Sequence, residues 1–169
     1  MSKIYIAASW KQKDRVNKIA HVLSERGHIV FDFTDSKSRL KVNQALDLDF
    51  QLCDEQPKTK YASKYEPQNN KYGEYLQNMH LYQEMMKNNL AIIKKCDVCI
   101  LLLPAGADAH ANWGAAVGAN KITCVVGYPD NGDRSPSHLW ADRFFQSDDE
   151  LISSFETFIN SVSCDRITD

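Results

Sequence analysis

The feature that most constrains the fold is the run Val98-Cys99-Ile100-Leu101-Leu102-Leu103, bounded by Asp97 and Pro104. It is too short for an ordinary helix and has no polar alternation. A strand of this kind is covered on both faces, as central strands of parallel sheets are. Cover on both faces needs helices on both faces, so this run points to a layered α/β domain.

The rest of the chain supplies matching pieces. Ile4-Tyr5-Ile6-Ala7-Ala8 reads as a buried strand. Asp14–Arg26 carries Val16, Ile19, Ala20 and Leu23 at helical spacing and meets a stop at Gly27. Ile29-Val30-Phe31-Asp32-Phe33 reads as a second strand, and a βαβ opening implies a right-handed crossover. Tyr75–Cys96 reads as a long helix with Leu76, Met79, Tyr82, Met86, Leu90 and Ile93 along it; its Met-rich face suits a core or a subunit interface. Trp113–Ala119, with Gly114 and Gly118, is expected to be a helix packed closely on the sheet. Ile122–Val126 is a fourth strand, Pro129-Asp130-Asn131-Gly132 a turn, and Leu139–Phe145 holds a short fifth strand. The last helix, Leu151–Val162, is expected to be capped by Asp148 or Asp149.

Residues 34–73 break the pattern. They are polar and include Pro57, Pro67 and Gln68-Asn69-Asn70. A structureless stretch of that length is unusual in a compact domain. We expect one short helix near Val42–Phe50, with the remainder an insertion that is either a lid over the ligand site or a loop with no contact to it. The chain reads as a single domain, 1–169.

Bulk properties narrow the function classes. A chain of 169 residues suits one core. The formal net charge of −2 offers no basic field for nucleic acid. No apolar run approaches the roughly 18 residues that span a bilayer. The start, Met1-Ser2-Lys3-Ile4-Tyr5-Ile6, lacks a signal-peptide apolar region. No membrane partner and a cytoplasmic location (a host's cytoplasm, were the chain phage-encoded) are therefore expected. The cysteines are Cys53, Cys96, Cys99, Cys124 and Cys164. Cys96 and Cys99 have C-x-x-C spacing but flank the start of a strand, where positions three apart face opposite sides. They are expected to be buried or half-buried thiols, with neither metal nor cofactor bound.

In open parallel sheets, ligands bind beyond the carboxyl ends of strands where the strand order reverses. Three strand ends carry suitable residues: Ala8-Ser9-Trp10, Asp32, and Leu103 to Asn112. The stretch Gly106 to Gly114 leads into a helix N-terminus, whose free N–H groups suit an anion such as phosphate. Gly106 is expected to let the backbone approach closely. Trp10 and Trp113 are either packing residues or stacking platforms for a purine or nicotinamide ring. Tyr61, Tyr65, Tyr72 and Tyr75 are either surface residues or a cover for a base.

The set Lys3-Ile4-Tyr5-Ile6-Ala7, Asp97 and Leu103-Pro104-x-Gly106-x-x-Ala109-His110-x-Asn112-x-Gly114-x-Ala116-x-Gly118-x-x-Lys121 resembles the nucleoside 2-deoxyribosyltransferase-like proteins, over residues 1–33 and 73–162. The resemblance implies a three-layer, flavodoxin-like domain of about five parallel strands. It also implies a homodimer or higher homo-oligomer, with one subunit bordering the other's pocket. It implies cleavage or transfer of an N-glycosidic bond by a glutamate two residues before the helix glycine, assisted by an aspartate on the preceding helix. A carboxylate suits that task because it can form a sugar ester that is later released. Here Asn112 stands at the first position and Asn89 most nearly at the second. A neutral amide is a poor nucleophile and no base near neutral pH, but it can hydrogen-bond a ribose or a base.

No catalytic residue is therefore assigned outright. Asp108 is a substitute carboxylate candidate, with Asp32, Asp35 and Glu74 behind it. His110 is a candidate acid, base or positioning residue. The ligand-binding set is Ala8, Ser9, Trp10, Asp32, Asn89, Pro104, Gly106, Asp108, His110 and Asn112. The leading expectation is binding of a nucleotide or NAD-derived molecule without glycosidic turnover. The scaffold's closeness to TIR domains, which process NAD, extends this to sequestering a cyclic ADP-ribose-type signal, as a phage anti-defence sponge would. The alternatives are an N-glycosidase or 2-deoxyribosyltransferase with a non-standard carboxylate, and an oligomeric scaffold with a vestigial pocket that interacts through Tyr75–Cys96.

Overall fold

The computed structural model describes residues 1–34, 79–128 and 135–165. Within them, five strands form one parallel sheet: β1 (Lys3–Ala7), β2 (Ile29–Phe31), β3 (Val98–Leu102), β4 (Ile122–Val126) and β5 (Arg143–Phe145). The spatial order is β2-β1-β3-β4-β5. Among the described residues four helices cover it: α1 (Lys13–Glu25), α2 (Met79–Lys95), α3 (Ala107–Gly118) and α4 (Asp148–Asp165). This is the three-layer arrangement that the sequence led us to expect. Among the described residues no helix is long and apolar enough to cross a membrane.

The register explains why β3 is apolar throughout. Ile4 pairs with Val98, and Val98 with Ile122, so β3 has a strand on each side. Its side chains then alternate between two cores. Val98, Ile100 and Leu102 join the stripe Val16, Ile19, Ala20 and Leu23 of α1, and Leu151, Phe155, Phe158 and Ile159 of α4. Cys99, Leu101 and Leu103 join Ile92 and Ile93 of α2, and Ala109, Trp113 and Ala116 of α3.

Several local expectations change. α3 begins at Ala107, not near Trp113, so Asp108, His110 and Asn112 lie on a helix rather than a loop. Ala107, Ala109 and Ala111 favour the helix, and Asp108 complements its N-terminal dipole. Gly114 and Gly118 are not close-packing positions: a Cβ at either would meet nothing within 4 Å. Trp113 and Ala116 make the contact with the sheet instead. Gly106 is also open to a Cβ and has an ordinary φ of −86°, so neither close approach nor backbone freedom explains it. Gly27, at φ +86°, is the helix stop expected.

The α4 cap is Ser147, not an aspartate. Its Oγ accepts the Glu150 N–H at 3.2 Å, while Glu150 Oε2 reaches one residue past the cap to accept the Gln146 N–H at 2.6 Å. Strand β2 stops at Phe31 because Asp32 closes a turn: its Oδ1 accepts from Thr34 N at 2.7 Å and Thr34 Oγ1 at 2.6 Å.

Cys96 and Cys99 are buried, but they share one core face. Cys96 lies before the strand, in the turn after α2, so strand alternation does not apply to it; its thiol donates to Ile93 O at 3.1 Å. Burial pushes the Cys96 thiol up to about 12, and raises Cys99 and Cys124 too. No group of three or more metal-ligating side chains occurs among the described residues. The helix expected near Val42–Phe50, the insertion, Asp35, Glu74, Cys53, the four tyrosines Tyr61, Tyr65, Tyr72 and Tyr75, and the turn Pro129–Gly132 lie outside the described residues.

Candidate functional site

The strand order places a switch point between β1 and β3. From β1 the chain moves to β2 on one side, and from β3 to β4 on the other. Loops leaving the carboxyl ends of β1 and β3 therefore part, which opens a crevice there.

The β3 exit is fixed from behind by α1. Ser9 caps a single turn, Trp10–Gln12, by accepting from Lys11 N. Gln12 Nε2 then donates to Leu102 O at 3.2 Å and to Pro104 O. One turn on, Arg15 Nη1 donates to Leu103 O and to Gln12 Oε1, each at 2.6 Å. The remaining edge of the guanidinium grips Asp148: Nε lies 2.7 and 2.8 Å from the two carboxylate oxygens and Nη2 2.5 Å from Oδ1. Three consecutive carbonyls, Leu102 to Pro104, are thus held by two side chains. Gly127, after β4, completes the clamp. Its φ is +95°, and a Cβ there would stand 3.2 Å from Leu103 O.

α3 follows the β3 exit, so its N-terminal tip lies at the carboxyl end of the sheet. Gly106 is its N-cap and brings no side-chain cap to the first-turn N–H groups. His110 Nδ1 meets Gly106 O at 3.0 Å, and His110 Nε2 meets His138 Nε2 at 2.9 Å. The carbonyl can only accept, so Nδ1 carries the His110 proton; with both rings neutral, His138 donates across the pair. His138 is buried on the short helix Pro136–Trp140, with Trp113 edge-on to it at 6.2 Å. His110 therefore fastens the first turn of α3 to that segment.

Asn112 stands below the tip, only 7% exposed. Its Nδ2 donates to Tyr5 Oη at 3.1 Å, and Tyr5 lies flat on Phe31, with ring centroids 5.2 Å apart. Asn112 Oδ1 and Trp113 Nε1 are buried without a hydrogen-bond partner among the described residues. Asp108 lies four residues before Asn112, on the same side of the helix and exposed at the tip. Asn89 is half-buried on α2, three residues before Ile92 and so on the face turned to the sheet.

Pro104, Gly106, Asp108, His110 and Asn112 thus share the β3–α3 unit. Ala8, Ser9 and Trp10 follow the neighbouring β1; Trp10 is 44% exposed and tilts against Phe33. Asp32 is one strand further away, and its Oδ1 is occupied by Thr34. Trp113 is a core residue, 1% exposed, and not a stacking platform. Sequence reasoning missed Gln12, Arg15, Gly127, His138 and the role of Tyr5. Only Tyr5 carried a signal: a phenol among Ile4, Ile6 and Ala7 on a buried strand needs a hydroxyl partner.

No protein-family model and no curated protein matches the sequence. Among solved structures, the chain is similar to a CMP N-glycosidase from Clostridium botulinum, BcmB. The identity is 15%, the TM-score 0.51, and the match covers 92% of this chain and 98% of that one. It is also similar to a 2-deoxyribosyltransferase from Bacillus psychrosaccharolyticus, at 16% identity and TM-score 0.57, covering 93% of this chain and 96% of that one. The likeness is one of fold. It bears out, at that level, the deoxyribosyltransferase-like, flavodoxin-like scaffold that the sequence motifs suggested.

Proposed function

We propose that this protein binds a nucleotide at the carboxyl ends of β1 and β3 and leaves its N-glycosidic bond intact. The observation that carries this is Asn112: a buried amide stands where the family resemblance puts a carboxylate nucleophile, with one end held by Tyr5. An amide cannot attack an anomeric carbon or take up a proton near pH 7. The tip of α3, without a side-chain cap, supports a phosphate-bearing ligand. The two structural neighbours, named for CMP and for 2-deoxyribosyl transfer, support a nucleotide-type ligand. NAD-derived molecules such as ADP-ribose belong to the same class, and sequestration of a cyclic ADP-ribose-type signal is the specific form of this reading.

The test is incubation with nucleosides, nucleotides, NAD and ADP-ribose species, followed by chromatography and thermal shift. Intact ligand is expected back from heat-denatured protein. A ligand at about 100 times its Kd should stabilise by roughly 2.7 kcal/mol. Free base among the products would overturn the absence of turnover, and no shift with any nucleotide would overturn binding.

A second reading has its own observation. Asp108 is exposed at the tip on the Asn112 side of α3, so a carboxylate is at hand. Under that reading base is released, and Asp108→Asn abolishes the release. Either reading goes with a homo-oligomer, supported by the exposure of Met85 (41%) and Leu90 (39%) on α2 and checked by sedimentation.

A further inference from the structure

We propose that Asn112 reads a sugar hydroxyl, so that the site takes ribonucleotides in preference to their 2′-deoxy counterparts. This rests on the nucleotide-binding reading and adds the class of sugar.

Asn112 turns the Nδ2 end of its amide to Tyr5. The Tyr5 ring is 3% exposed, sits in a strand paired on both sides, and stacks on Phe31 with 10° between the planes. It has no room to follow the amide. Its oxygen takes the Asn112 Nδ2 proton at 3.1 Å, which leaves Oδ1 as the unused end. That oxygen is an acceptor, inaccessible to solvent and without a donor among the described residues. A buried acceptor left in this state is a defect of the unliganded site unless something brings a donor to it.

The surroundings narrow that donor. The helix neighbours turned to the sheet are Ala109 and Trp113, within an apolar cluster that includes Ala7, Phe31 and Leu103. The carboxylate on the same side of the helix, Asp108, is one turn away and exposed at the tip, where solvent screens it. An ionised phosphate has no donor to offer Asn112 Oδ1. A hydroxyl has one, and its oxygen can also accept from a donor such as the neighbouring Trp113 Nε1, the other buried group without a partner among the described residues. Position matters as well: Asn112 is five residues from Ala107, about 7.5 Å along the helix axis at 1.5 Å per residue. With a phosphate at the tip, the sugar is the part of the ligand that reaches this depth. The 2′-hydroxyl is the one that separates ribose from deoxyribose. A site built around such a hydrogen bond rejects the analogue that lacks it.

The experiment is calorimetric titration with AMP and CMP, their 2′-deoxy forms and 3′-deoxy-AMP, using the wild type, Asn112→Leu, Asn112→Asp and Tyr5→Phe. The wild type should bind the ribonucleotide at least about tenfold more tightly than the 2′-deoxy form. Asn112→Leu should bring that ratio to within about twofold, because no acceptor remains. Asn112→Asp keeps an acceptor and should keep the preference. Tyr5→Phe frees the amide to turn and should lower the ratio; circular dichroism checks that each variant is folded. Equal binding of ribo and deoxy forms by the wild type, a 2′-deoxy preference, or a full ratio in Asn112→Leu would overturn the proposal while leaving nucleotide binding in place. Binding of none of these probes would overturn the proposal; if NAD and ADP-ribose species do not bind either, the nucleotide-binding reading falls with it.

Discussion

Asn112 and Tyr5 are coupled, and the coupling can be measured apart from any ligand. Tyr5→Phe keeps the ring on Phe31 but removes the only acceptor seen for Asn112 Nδ2 among the described residues. It should cost about 1–3 kcal/mol in urea denaturation, because a buried donor is left unmet. Adding Asn112→Leu should return part of that loss, so the double-variant cycle should be non-additive; strict additivity would mean that the hydrogen bond contributes nothing. The buried thiols give a second residue-scale prediction. Desolvation raises the Cys96 thiol from 9.0 to about 12 and raises Cys99 and Cys124 as well. Folding therefore favours the neutral thiols. Their contribution is complete below pH 9 and declines from there towards pH 12, as the unfolded chain releases protons that the folded chain keeps. Each thiol should add a slope of about 1.4 kcal/mol per pH unit in that window. Cys96→Ala should flatten the pH 9–11 stability profile, whatever it does at pH 7. The burial of these cysteines was legible from their place beside an apolar run. The Asn112–Tyr5 bond was not, because it joins residues 107 positions apart.

At the scale of elements, the β3–α3 turn owes its shape to α1, β4 and α4. Its own residues offer few anchors, for Pro104 has no N–H and Gly106 and Ala107 have no polar side chain. Position 15 reads in the sequence only as a polar site on an amphipathic helix; its partners, Leu103 and Asp148, are 88 and 133 residues away. That distance is why the strands could be read and the clamp could not. The glycines test it. Gly27 and Gly127 both have positive φ, but only Gly127 has a backbone atom in the way of a Cβ. Gly27→Ala should cost about 1 kcal/mol for backbone strain alone. Gly127→Ala should cost more, because it also presses on Leu103 O. Thermal unfolding of the two variants side by side checks the order. The start of α3 was misread for a related reason. Gly106 marked an N-terminus, but the alternation of alanine with Asp108, His110 and Asn112 looked like a ligand loop until those polar residues are seen on helical turns.

The two ends of the sheet strands carry separate polar anchors. The apolar run 98–103 and the βαβ opening were enough to predict the parallel sheet, because a strand covered on both faces has few other places to go. Strand order puts the candidate site at the carboxyl edge, once β1 and β3 are seen as neighbours. The amino edge has its own polar lock. His28, just before β2, accepts from Ser2 N on Nδ1 at 3.1 Å, and its Nε2 lies 2.6 Å from Glu156 Oε1 on α4. Because Ser2 N–H donates to Nδ1, the Nε2 proton points to the carboxylate, and the buried ring ties the chain start to the last helix. If stability and binding are separated in this way, two substitutions of similar structural cost should part in their effects. His28→Ala removes two part-buried hydrogen bonds at the amino edge and should lower stability by about 1–3 kcal/mol. Its nucleotide affinity should stay within about twofold of the wild type below the melting transition, since it changes only the folded fraction. Arg15→Leu removes the clamp at the carboxyl edge, with a loss of stability in the same range. It should also weaken nucleotide binding by about tenfold or more, because a turn that must be ordered by the ligand binds less tightly than one ordered beforehand. Stability from chemical denaturation and affinity from titration of the same samples decide the matter. Equal loss of affinity in both variants would show that the two edges are not independent.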